Sequence, residues 1–130
     1  MNRFVVLLHR SDGGVFCEEH WDIMLEVYVD GCGQLDTWSI PPQICLLEIK
    51  NANLNKLNSF SCPAKKLPYH RLAYLDYEGE ISNNRGNVQK IDNGTYQKIS
   101  NNKFKLSGNL LDGELTITDT PDSCEIIFVP

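Results

Sequence analysis

The run His20-Trp21-Asp22-Ile23-Met24-Leu25-Glu26 places an imidazole and a carboxylate with one residue between them. In an extended strand successive side chains point to opposite faces, so His20, Asp22, Met24 and Glu26 share one face and Trp21, Ile23 and Leu25 the other. Their Cα atoms would lie about 7 Å apart at a rise of ~3.3 Å per residue, close enough to converge on one divalent cation. His9 ends the preceding apolar run and supplies a second imidazole if the two strands pair. Two imidazoles and one carboxylate suit manganese, iron or zinc, and the donor set does not choose among them. A His-x-Asp couple held by a hydrogen bond, with no metal, has the same spacing, so spacing alone leaves both readings open.

A second chemistry-bearing segment is His70-Arg71-Leu72-Ala73-Tyr74-Leu75-Asp76-Tyr77-Glu78-Gly79. Read as a strand, it turns His70 and Tyr74 the same way, toward a phosphate oxygen or a proton in transfer. A half-buried tyrosine beside an exposed histidine fits the same residues. Arg71 and Arg85 are the nearest guanidiniums in sequence and are candidate phosphate contacts, since a guanidinium grips phosphate through two parallel hydrogen bonds. Arg71 would need a bulge to turn toward His70, whereas Arg85 sits in the Asn83-Asn84-Arg85-Gly86 turn. Either could equally be a solvated charge, and the same holds for Lys65-Lys66. No phosphate-binding glycine loop, nucleophile elbow or zinc-finger spacing occurs.

The elements that must position these groups read as strands. Short apolar or alternating runs at Phe4–Leu8, His20–Val29, Gln34–Ile40, Arg71–Tyr77, Gly86–Ile91, Lys103–Ser107, Gly113–Thr118 and Cys124–Val129 are separated by turn residues. Those turns include Ser11-Asp12-Gly13-Gly14, Asp30-Gly31-Cys32-Gly33, Asp92-Asn93-Gly94 and Asp112-Gly113. The pattern predicts an all-β protein, a compact closed or nearly closed barrel of about eight strands, with a minor helix possible. Ile44–Phe60 fits a strand, a short helix or an irregular segment, and Ser59–Pro68 reads as a loop.

With 130 residues, 42% hydrophobic and 22% charged, the chain is expected to form one domain over residues 1–130. Twelve Lys+Arg against 17 Asp+Glu leave a net charge of −5, which argues against a broad basic surface for duplex binding. No apolar stretch approaches the ~20 residues of a membrane helix. The short N-terminal run lacks a signal-peptide cleavage pattern, so a cytoplasmic location is expected. The 5 cysteines are odd in number and without a Cys-x-x-Cys, which predicts reduced thiols.

Taken in order, Arg3-Phe4-Val5-Val6-x-x-His9, His20-x-Asp22, Trp38-Ser39-Ile40-Pro41 and His70-x-Leu72-x-Tyr74-x-Asp76-x-Glu78-Gly79 resemble the 3′-phosphoesterase domain of bacterial DNA ligase D. The likeness is to its divergent stand-alone branch, and runs from Arg3 to about Ile117, weakest across Ile44–Lys66. It implies a β-barrel with a manganese-dependent site, though another divalent ion would suit the donors. That site removes a 3′-terminal ribonucleoside and then the 3′-phosphate in DNA end repair and non-homologous end joining. The resemblance makes His9, His20 and Asp22 the metal ligands, and His70 and Tyr74 the groups beside the scissile phosphate. It departs at Met24 and Pro42, where the family carries an arginine and a lysine. An arginine expected upstream of His70 has only Lys65 or Lys66 as neighbours.

The leading expectation is therefore a metal-dependent phosphoesterase on nucleic-acid 3′ ends, DNA first, working as a monomer with repair ligases or polymerases as partners. The alternatives are a noncatalytic module that binds strand ends or a repair partner, and a phosphoesterase on another small phosphoester. Met24→Arg is expected to raise turnover if the neighbouring phosphate site is vacant.

Overall fold

A computed structural model describes residues 2–13, 16–44, 56–81 and 86–130. Among them are β1 (Asn2–Gly13), β2 (Phe16–Val29), β3 (Cys32–Ile40), β4 (Phe60–Pro63), β5 (Lys65–His70), β6 (Gly79–Glu80), β7 (Asn87–Lys98), β8 (Lys103–Gly108), β9 (Asp112–Asp119) and β10 (Cys124–Val129). A 3-10 turn, Leu72–Leu75, lies between β5 and β6. The protein is all-β: one antiparallel sheet ordered β4-β10-β9-β8-β7-β1-β2-β3-β5, with β6 beside β7. The path is open, but its ends are consecutive in the chain, and the amide of Ala64 between them donates to the Cys124 carbonyl at 2.9 Å. No helix among the described residues is long and apolar enough to cross a membrane.

Alternation gives the central strands two different faces. Phe4, Val6 and Leu8 of β1 pair with Leu25, Ile23 and Trp21 of β2, and all six lie in the main core with Trp38, Ile40, Leu106, Leu115 and Phe128. The intervening residues of the same strands, Val5, Leu7 and Met24, pack on the reverse face with Leu35, Leu75 and Val88. Leu72 and Leu75, three apart and therefore on one side of a 3-10 turn, help to cap this smaller cluster. Burial on both faces explains why β1 reads as a continuous apolar run, not as an alternation.

Several expectations change. The predicted strand Arg71–Tyr77 is instead the 3-10 turn, closed by Tyr74 N–H to the Arg71 carbonyl and Asp76 N–H to the Ala73 carbonyl. The predicted loop Ser59–Pro68 contains β4 and most of β5. The predicted turn Asp92-Asn93-Gly94 lies inside β7, where a register shift opposite Val6 and Leu7 marks a bulge. Asp92 is there as an internal anchor, its carboxylate accepting amides of Asn109, Leu110 and Leu111 at 2.8–3.0 Å. Gly94 is there because a Cβ would sit 2.0 Å from the Ser107 carbonyl oxygen. Cys32, Cys62 and Cys124 are free thiols. Residues 45–55 and Arg85 lie outside the described residues, and with them most of the unassigned segment and one expected phosphate contact.

Candidate metal centre and the cavities beside it

The β1–β2 register sets His9 directly opposite His20 and Leu7 opposite Asp22. All three polar residues fall on the reverse face, in line with Val5, Leu7 and Met24, where the small apolar cluster gives way to solvent. Directly paired side chains on one face of antiparallel strands stand about 5 Å apart at Cβ, so the two imidazoles meet. His9 Nδ1 lies 3.1 Å from His20 Nε2, and the rings meet edge to face. Asp22 completes the group: its Oδ1 is 3.1 Å from His20 Nε2, and its Oδ2 is 3.8 Å from His9 Nδ1. One ligand atom from each of the three falls within 4.8 Å of the others.

The chemistry of this donor set fits a divalent cation. Asp22 is 3% exposed, and its buried Oδ1 lacks a hydrogen bond of acceptable geometry despite the nearby imidazole. A buried carboxylate oxygen without a donor is costly unless a cation meets it. The same preference acts on protons. Contact with the Asp22 carboxylate raises the His20 imidazole above its ordinary value, against the opposing effect of burial. The cluster thus favours positive charge at His20, brought by a proton or by a metal ion, and the two compete for one lone pair.

His70 and Tyr74 reach this centre by a route different from the predicted strand. His70 ends β5, and Tyr74 sits in the 3-10 turn. The rings stand edge to face with centroids 5.9 Å apart. His70 Nδ1 lies 2.9 Å from the Pro68 carbonyl oxygen, which can only accept, so Nδ1 carries the proton and Nε2 holds the lone pair of the neutral ring. His9, Asp22, His70 and Tyr74 line one cavity of about 90 Å³, floored by Met24, Val88 and Ile81. Beyond Tyr74 and Ile81 opens a second pocket of about 250 Å³, lined also by Arg71, Ala73, Tyr77 and Glu80. Arg71 therefore lines the neighbouring pocket and not the cavity that holds His70.

The sheet register also separates the two lysines. Lys66 pairs with Trp38, lies 4.6 Å from that ring's centroid and bonds the Asp36 carboxylate, on the main-core side of β3. Lys65 pairs with Ser39, which pairs with Asp22, so it stands on the face of His9, His20 and Asp22, two strands from the carboxylate. Lys90 occupies the matching place on the other side, paired with Leu7, which pairs with Asp22. Sequence reasoning left Lys65 and Lys66 equivalent and missed Lys90. Alternation separates the first two only once Lys65–His70 is known to be a strand, and Lys90 only once the β7 bulge is known.

No family model and no curated protein matches this chain.

Proposed function

We propose that this protein is a metal-dependent phosphoesterase acting on 3′ ends of nucleic acid, similar to the 3′-phosphoesterase domain of bacterial DNA ligase D. The observation that carries the reading is the convergence of His9, Asp22, His70 and Tyr74 on one cavity, with His20 completing the donor set. A nearly closed barrel belongs to the same proposal, since β4 and β5 continue one another between the two ends of the sheet. On this reading the substrate is a DNA strand end, the compartment is the cytoplasm, and the partners are ligases or polymerases that use the product hydroxyl.

His9, His20 and Asp22 would hold a manganese ion, which supplies Lewis-acid polarisation of a phosphoryl oxygen when bound. Each hydrolysis adds water across one ester bond, the water oxygen bonding to phosphorus. In the first the 5′-oxygen departs with a proton as the ribonucleoside's hydroxyl and the strand keeps its 3′-phosphate; in the second the 3′-oxygen departs with a proton as the strand's hydroxyl. With Nδ1 committed to Pro68, His70 has Nε2 as the atom that takes up or returns a proton. The Tyr74 phenol donates to a phosphoryl oxygen. Phosphoryl transfer depends mainly on positioning and on neutralising charge on the equatorial oxygens, and Lys65 and Lys90 are the cations whose strand positions suit that task.

One observation favours a noncatalytic end-binding module instead. Met24, where the resembling family carries an arginine, is 1% exposed within the apolar cluster and offers no charge to a phosphate. A paired assay decides between them. Wild type and His20→Ala are incubated with a primer–template ending in a 3′-ribonucleotide or 3′-phosphate, with and without manganese. Manganese-dependent trimming by wild type alone supports the phosphoesterase. A folded wild type that binds manganese and strand ends without trimming them supports the module.

A further inference from the structure

We propose that the 250 Å³ pocket beyond Tyr74 is a nucleoside subsite, which receives the sugar and base attached to the phosphate held in the smaller cavity. The inference rests on the phosphoesterase reading for its phosphate, but its own evidence is separate. Tyr74 and Ile81 line both spaces, so a ligand bound across them has one part beside His9, Asp22 and His70 and another beside Arg71, Tyr77 and Glu80. The lining suits an aromatic base. Tyr74 and Tyr77 stand edge to face with centroids 5.9 Å apart, giving two ring surfaces of different orientation. The Tyr77 hydroxyl donates to the Glu80 carbonyl, which fixes its ring while leaving the residue 39% exposed.

Polar groups complete the subsite. Arg71 is exposed, and no ion pair is found for it among the described residues. Its planar guanidinium can stack on a base or contact the next phosphate. The Glu80 carboxylate can accept from a sugar hydroxyl or an exocyclic amine. The pocket is smaller than the ~300–1,000 Å³ of drug-sized sites, so it takes one nucleoside and not a run of nucleotides. Recognition is accordingly of a strand terminus.

The test is a titration of metal-free protein with adenosine 3′-monophosphate and with inorganic phosphate, followed by tyrosine ring NMR signals, so that it does not depend on turnover. Wild type should prefer the nucleotide by roughly tenfold or more, the worth of one base stacked on an aromatic ring. Tyr77→Leu should abolish the preference at an unchanged urea midpoint, and Tyr77→Phe, which keeps the ring, should retain it. Equal affinity of wild type for the two probes overturns the subsite, even if manganese-dependent trimming is observed. A preference that survives in Tyr77→Leu overturns it as well. A Tyr77-dependent preference in a protein that trims nothing upholds the subsite while the hydrolytic reading fails.

Discussion

At the scale of single residues, the carboxylate of Asp22 governs the centre. Its burial beside two imidazoles and its effect on His20 both favour positive charge there. The linkage has opposite signs with and without the ion. In metal-free protein the folded-state value of His20 is raised, so the stability that protonation contributes is fully present below the ordinary value near 6.5 and is lost as pH rises through the raised one. A metal ligand must be deprotonated, so stabilisation by manganese grows over the same rise in pH. Thermal midpoints recorded from about pH 5.5 to about pH 8 should therefore diverge, with and without manganese, as pH increases. At an ion concentration of 100 Kd the gain is about 2.7 kcal/mol. Asp22→Asn should show neither the divergence nor the gain; a constant midpoint difference in wild type would place the ion elsewhere.

At the scale of elements, alternation along β1 and β2 makes His9, His20 and Asp22 legible in the sequence, because a repeat of two shows which side chains share a face without knowledge of what packs on it. The neighbourhood of His70 is less legible. Leu72-Ala73-Tyr74-Leu75 is a short apolar and aromatic run that passes for a strand, yet the partner that decides its form is the apolar cluster beneath, which takes Leu72 and Leu75 on one side. Asp92 and Gly94 mimic a turn because an anchor aspartate and a close-approach glycine use the same residue types as a hairpin. The expectation for Met24→Arg gains a cost in stability for a similar reason. Met24 packs with Val5, Leu7 and Leu35 at the floor of the cavity that Asp22 also lines, so a longer, charged side chain there displaces apolar packing, which should cost about 1–3 kcal/mol and lower the urea midpoint. Lys65 and Lys66 offer a sharper check on the sheet. Lys65→Gln should lower turnover roughly tenfold while sparing stability, since its side of β5 shares the sheet face of Asp22. Lys66→Gln should spare turnover and shift the unfolding midpoint, since it loses the contacts with Asp36 and Trp38. The reverse pattern would put Lys66, and not Lys65, on the face of Asp22.

At the scale of the whole molecule, the all-β class follows from the spacing of turn residues, but the way the sheet ends does not. The ladder begins at β4 and finishes at β5, two short strands whose pairing partners, β10 and β3, lie far away in sequence. Local pattern holds no record of such long-range pairing, and residues with Pro63 and Pro68 among them look like a loop. Net charge, by contrast, is readable at once and constrains how this molecule can meet a polyanion. At −5 overall, it can offer phosphate only local cations, and the register supplies Lys65 and Lys90 on the face that carries His9, His20 and Asp22. Two phosphate contacts release about two counterions, so affinity for a 3′-phosphorylated hairpin duplex should fall about tenfold between about 50 and 200 mM salt. A protein that tracked the duplex through six or more contacts would lose about a thousandfold or more over that range. Measuring KM across it, with manganese held saturating, reads the number of contacts directly. A shallow slope fits recognition of the strand terminus, whereas a steep one would require a basic surface that the described face does not carry, and would move the nucleic acid to a different side of the sheet.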